Sequence, residues 1–189
     1  MNRQHLPVVL LLALAVLPAC KRQQDEGPTG LGKPVAEGPA RAVTPSPDGA
    51  HLAYVAEPRP ARELGQGDLP DTIWMGTAKV VPTSGGAPII LGSGVTTLPG
   101  AILFDPAGTR VAVLTDFQFR SQAGTLVVGD VATGNVRTLA PDVGFFGFSP
   151  DGSRIAYVTK DTLFVGPADG AKPREVLIRG LGEMGAPQA

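Results

Sequence analysis

A chain of 189 residues is long enough for one folded domain, and its formal net charge of −1 offers no basic field for nucleic acid. A single cysteine, Cys20, excludes an internal disulfide and a thiolate metal cluster; with only His5 and His51, a multi-histidine metal site is excluded as well. Charged residues are 17% and aromatics 5%, against 25 glycines and 19 prolines, a balance of many turns and few charged helix faces that points to an all-β chain.

Arg3 supplies a positive start, and Leu6 to Leu17 is almost wholly apolar but short for a bilayer and interrupted by Pro7. Residues 1–19 therefore read as a secretory signal. The ending Leu17-Pro18-Ala19-Cys20 resembles the bacterial lipobox, with Leu three places before the cysteine and a small residue just before it. The resemblance implies a lipoprotein signal peptide, a diacylglyceryl group on the Cys20 thiol and an acylated new N-terminus. The alternative is a plain signal followed by a chance cysteine. Two or more acyl chains hold a protein at a membrane where one does not, so no spanning helix is needed. In lipoproteins of this type an aspartate after the cysteine marks inner-membrane retention. Lys21 stands there instead, so the resemblance favours the outer membrane of the cell envelope. Residues 20–41 carry glycines, prolines and mixed charge without apolar periodicity. They read as a lipid-anchored flexible linker with an r.m.s. span of roughly 25 Å.

From residue 42 one unit recurs three times. Its turns are Ser46-Pro47-Asp48-Gly49, Asp105-Pro106-Ala107-Gly108 and Ser149-Pro150-Asp151-Gly152. Pro presets such a turn and Gly supplies positive φ at its exit. Behind the turns run Leu52-Ala53-Tyr54-Val55, Val111-Ala112-Val113-Leu114 and Ile155-Ala156-Tyr157-Val158. Third strands follow at Ile73–Met75, Thr125–Val128 and Thr162–Val165. Gly-bearing turns and fourth strands at Ile89–Leu91, Val136–Leu139 and Glu175–Ile178 close each unit. Pro106 and Pro150 are 44 residues apart, whereas Pro47 and Pro106 are 59 apart, so the first unit carries about 15 extra residues, Glu57 to Asp71.

Four short antiparallel strands per repeat is the pattern of a propeller blade. The run Phe148-Ser149-Pro150-Asp151-Gly152, continued by Ile155–Val158, Leu163-Phe164-Val165 and a Gly turn, resembles the WD40-like repeat of TolB-type β-propellers. The second copy has Ala107 where the family has Asp, and the first has Pro45 in place of the aromatic. The resemblance implies a partial β-propeller of about three four-stranded antiparallel blades over residues 42–179. Their expected bounds are 42–98, 99–143 and 144–179, with a tail at 180–189.

The turn residues Pro47, Asp48, Gly49, Pro106, Gly108, Pro150, Asp151 and Gly152 are expected to be structural, bonding local backbone. Tyr54 and Tyr157 share one repeat position and are expected to pack between blades. Trp74 is expected in the core and His51 at an exposed corner. Candidate binding loops are the insertion, with Arg59 and Arg62, and the stretch Phe117-Gln118-Phe119-Arg120, whose two phenylalanines would form a rim patch beside Arg120. There is no Gly-x-Ser-x-Gly elbow, Walker loop, Rossmann fingerprint or close carboxylate pair. The expectation is thus no catalytic site, no metal and no cofactor beyond the lipid on Cys20. The residues and the resemblance lead to a membrane-anchored envelope lipoprotein with a non-enzymatic protein-binding or scaffold surface. The rival is the propeller part of a peptidase or hydrolase that works with a separate catalytic domain. Three blades leave two raw apolar ends, open to self-association, to a protein partner, or to the missing blades of a longer propeller.

Overall fold

The computed structural model describes residues 35–36, 38–171 and 175–179. The signal peptide, Cys20, the linker before Val35 and the tail 180–189 lie outside the described residues.

The first blade is the meander β1 (Ala40–Pro45), β2 (His51–Pro60), β3 (Trp74–Pro82) and β4 (Ile89–Thr96), paired in that order. Ala40 and Arg41, expected as linker, already belong to β1. The next strands are β5 (Ile102–Phe104), β6 (Arg110–Gln118), β7 (Ala123–Asp130), β8 (Val136–Phe148), β9 (Arg154–Thr159), β10 (Thr162–Pro167) and β11 (Glu175–Ile178). They form one seven-stranded antiparallel sheet rather than two separate ones. The link is β8. Its first half pairs with β7 and its second half with β9, and Val143 pairs on both sides, with Gly124 and with Thr159. Asp142, at φ 55°, and register shifts on both flanks bend the strand without breaking it. The second and third blades therefore share this strand, and the turn between them is a bend in a continuous ladder.

Alternation along the second strand of each repeat decides how the blades stack. Val111 and Val113 of β6 join a core with Ala53, Val55, Val80 and Leu91 of the first blade. Ala112 and Leu114, on the other face of β6, join a core with Ile155 and Tyr157 of the third. Each buried branched side chain in these two layers contributes roughly 1.5–3 kcal/mol of transfer free energy. Three four-stranded units stacked face against face, with small and branched residues between them, make this a partial β-propeller.

The same alternation corrects the expectation for Tyr54. Tyr157 packs between blades and stacks on Phe164 with ring centroids 5.6 Å apart. Tyr54 occupies the same repeat position in the first blade, where no described strand pairs or stacks ahead of it, so it faces outward, together with Ala56 and Val81. Val35 and Ala36 pack over that face, and Tyr54 is only 5% exposed. One of the two expected raw ends is thus covered by the chain itself. The far face of the third blade is different. Phe145, Val158, Leu163 and Ile178 lie in one cross-strand row over β8–β11. Phe145 is 78% exposed, and Val176, Leu177 and Ile178 of β11 are exposed too. Trp74 is only half buried, with the Arg41 guanidinium 4.2 Å over its ring, because it stands at the exposed start of β3.

Candidate functional site

The turn residues come first because the repeat singles them out. Asp48 accepts hydrogen bonds from the Ser46 hydroxyl (2.5 Å) and the Ala50 N–H (3.0 Å). Asp151 accepts from the Ser149 hydroxyl (2.6 Å) and from the N–H and hydroxyl of Ser153. The Ser149 hydroxyl and then the Ser153 groups hold the Asp151 carboxyl at about 2, below its ordinary 3.8. The Ser46 hydroxyl and the Ala50 N–H likewise lower Asp48. Charge-assisted bonds of this kind favour the ionised carboxylate.

The second copy solves the same problem with a displaced group. Asp105 stands where the others have serine, is 1% exposed, and accepts from the Thr109 N–H (2.7 Å), the Thr109 hydroxyl (2.8 Å) and the Arg110 N–H (3.0 Å). Successive turns also touch. A Cβ on Gly108 would lie 2.8 Å from Asp48 Oδ1, and one on Gly152 would lie 3.2 Å from Asp105 Oδ2. Gly49, in the first blade, has nothing within 4 Å. These carboxylates are spent on turn and inter-blade packing.

At the opposite end of the first two blades lies a cleft of about 390 Å³. Three bulges converge on it. Glu57 and Pro58 stand opposite Gly76, Ser93 and Gly94 opposite Thr77, and Asp116 and Phe117 opposite Gly124. Glu57 and Asp116 fall at the same distance from their repeat's proline and both take left-handed φ, 51° and 50°. Bulges re-aim side chains and interrupt the ladder, which is why they gather at sites. Gly76 and Gly124 make the bulges possible: a Cβ at Gly76 would collide with the Ala56 carbonyl, and one at Gly124 would lie 2.7 Å from the Thr115 carbonyl. Sequence reasoning missed Asp116 and both glycines. The signal was the recurring pairs Gly76-Thr77 and Gly124-Thr125 at the third strands, each beside a charged residue ten places past the turn proline.

The insertion is ordered against this cleft. β2 runs on through Pro60, the 3₁₀ turn Ala61–Leu64 follows, and Gly65 ends it at φ 76°. Ala61 is fully buried and its N–H donates to the Ile73 carbonyl at 2.9 Å. Pro58 is tolerated because it falls where the register slips between Ala56 and Arg59, and Pro60 because it is the last residue of β2. Of the candidate binding residues, Arg59 and Phe117 line the cleft. Arg62 does not; it pairs with Asp71 at 2.6 Å across the insertion. The expected rim patch is corrected: Phe117 and Phe119 are 7% and 9% exposed and meet edge to face, with centroids 5.1 Å apart, inside the core between blades. Phe117 falls in the bulge after Thr115, which turns it onto the Leu114 face of β6 and so into the core between blades, and Phe119 is held by its N–H donating to Gln66 Oε1 of the insertion at 3.2 Å. Arg120 remains exposed on the following turn, away from the cleft. His51 also departs from expectation. It is half buried, and its Nδ1 is buried without a hydrogen-bond partner.

Glu57 meets Lys79 at 3.6 Å, while the Arg59 and Asp116 side chains line the same cleft with no ion-pair partner among the described residues. Such an arrangement can hold a polar ligand by charge and amide contacts over an apolar floor of Met75 and Phe117. Among the described residues no group of three or more His, Cys, Asp or Glu could hold a metal.

No protein-family model and no curated relative matches the chain. Among solved structures it is similar to the β-propeller domain of the Trilobed protease from Pyrococcus furiosus, at 12% identity and a TM-score of 0.47 over 74% of this chain and 43% of that one. It is similar to dipeptidyl peptidase 4 from Porphyromonas gingivalis at 19% identity and a TM-score of 0.46, covering 73% of this chain and 19% of that one. It is also similar to TolB from Acinetobacter baumannii at 18% identity and a TM-score of 0.43, covering 73% and 32%. The chain thus spans less than half the length of each of these structures.

Proposed function

We propose that this chain is a lipid-anchored cell-envelope protein, attached through Cys20 and held at the outer membrane, whose blades form a non-enzymatic protein-binding or scaffold surface. The observation that carries the binding role is the face of the third blade that no other blade covers among the described residues. Phe145, Val158, Leu163 and Ile178 form an apolar row there, while the equivalent residues of the first two blades are covered by the next blade. Phe145 and Ile178 of this row are exposed, and exposed apolar surface of this kind marks interaction sites. The anchor rests on the lipobox-like run ending at Cys20.

Two experiments test the two halves separately. Metabolic labelling with an alkyne fatty acid should mark the full chain, and Cys20→Ala should remove the label; unchanged labelling of Cys20→Ala rejects the anchor. A photo-crosslinking residue at position 145 in intact cells should give a discrete protein adduct, and the same residue at position 120 should not. Equal adducts from both positions, or none from 145, reject the surface.

A further inference from the structure

We propose that the cleft between the first and second blades is a binding site for a zwitterionic short peptide, of dipeptide size, with Arg59 taking the carboxylate and Asp116 the ammonium. The proposal is independent of the anchor and of the apolar face on the third blade.

The argument starts from charge. Among the described residues, neither the Arg59 guanidinium nor the Asp116 carboxylate has an ion-pair or side-chain hydrogen-bond partner, although both line one cleft. Glu57, the third charged group there, already meets Lys79. A ligand of one sign would leave one of the two free groups uncompensated. A ligand with both signs matches both, and guanidinium–carboxylate recognition is the stronger for being bidentate.

The neutral lining fits the part of the ligand between its ends. Gln66 uses its Oε1 on the Phe119 N–H, so its amide donors remain. Gln118 turns its Nε2 toward the Asp116 carbonyl at 3.4 Å, so its Oε1 remains as an acceptor. One donor and one acceptor are what a peptide bond needs. Met75 and Phe117 supply apolar surface for the ligand's side chains. The volume, about 390 Å³, lies at the small end of ligand sites. Asp116 holds a left-handed φ of 50°, a cost a protein retains where the surrounding structure enforces it, and the bulge aims it at the cleft.

The test is calorimetric titration of the full chain in detergent with leucyl-leucine. Saturable one-to-one binding is expected. N-acetyl-leucyl-leucine and leucyl-leucine amide, each lacking one charge, should bind about tenfold more weakly or worse. Asp116→Asn, which tolerates the same backbone conformation, should abolish the penalty for N-acetylation and keep the penalty for amidation. Arg59→Gln should do the reverse. Both side chains are exposed, so circular dichroism of the variants should match that of the parent. Equal affinity for free and blocked dipeptides, variants without these selective effects, or no saturable binding up to about 10 mM would overturn the proposal.

Discussion

The contact between successive turns makes a quantitative prediction. Gly49, Gly108 and Gly152 share one conformation, with φ between 70° and 71°, yet their surroundings differ by blade position. A side chain at such φ costs roughly 1–2 kcal/mol wherever it sits. For Gly49→Ala that is the whole effect, because a Cβ there has open space. For Gly108→Ala the new Cβ would lie 2.8 Å from Asp48 Oδ1 and 2.9 Å from Cγ. Asp48 cannot simply swing aside, since Ser46 and Ala50 hold its carboxylate. Overpacking of this kind adds about 1–3 kcal/mol, so Gly108→Ala should cost about 2–5 kcal/mol in all. Urea unfolding of the full chain, followed by the fluorescence of Trp74, the sole tryptophan, measures each value. In an Asp48→Ala background the excess at Gly108 should vanish, and the double-mutant cycle should report a coupling of about 1–3 kcal/mol. Equal losses at Gly49 and Gly108, with no relief from Asp48→Ala, would refute the stacking of turn on turn.

Other expectations follow from the same geometry. Asp105→Ala should cost about 1–3 kcal/mol by urea unfolding, because the Thr109 and Arg110 N–H groups lose their buried acceptor. The double change Asp105→Ser with Ala107→Asp rebuilds the turn of the third blade and should recover most of that loss; no recovery would mean the turns are not equivalent. Asp151 has a folded pKa of about 2 against an ordinary 3.8, so its contribution is fully present above the ordinary value and is lost as pH falls through the folded one. Ser149→Ala should therefore flatten the acid dependence of stability between about pH 4 and pH 2, as read by acid titrations of parent and variant. Phe117→Ala should cost about 3–5 kcal/mol as a core truncation, while Phe145→Ser should stay within about 0.5 kcal/mol. Comparable losses at the two positions in thermal unfolding would contradict the assigned faces.

Much of the architecture was legible along the chain because its signals are local. A Pro-x-Gly turn, an alternating apolar run and a Gly-bearing hairpin each act over a few residues. The second strands at Leu52, Val111 and Ile155 fall inside β2, β6 and β9. What misled the reading was context. The pair Phe117 and Phe119, beside polar residues and a turn, resembles a rim, but the bulge at Asp116 turns Phe117 into the core and the distant Gln66 fastens Phe119. In the sequence Asp105 is only the first residue of a divergent turn, although its carboxylate replaces the one missing at Ala107.

The amino-acid sequence by itself determined the strand repeat, the turn chemistry and the extra residues in the first blade, since these depend on backbone preference and near neighbours. Tertiary structure alone decided which ends are covered, that β8 serves two blades, and that Arg59, Gln66, Met75 and Asp116 meet around one cleft. Those outcomes depend on contacts between residues tens of positions apart, and on bulges whose side-chain directions no local pattern specifies.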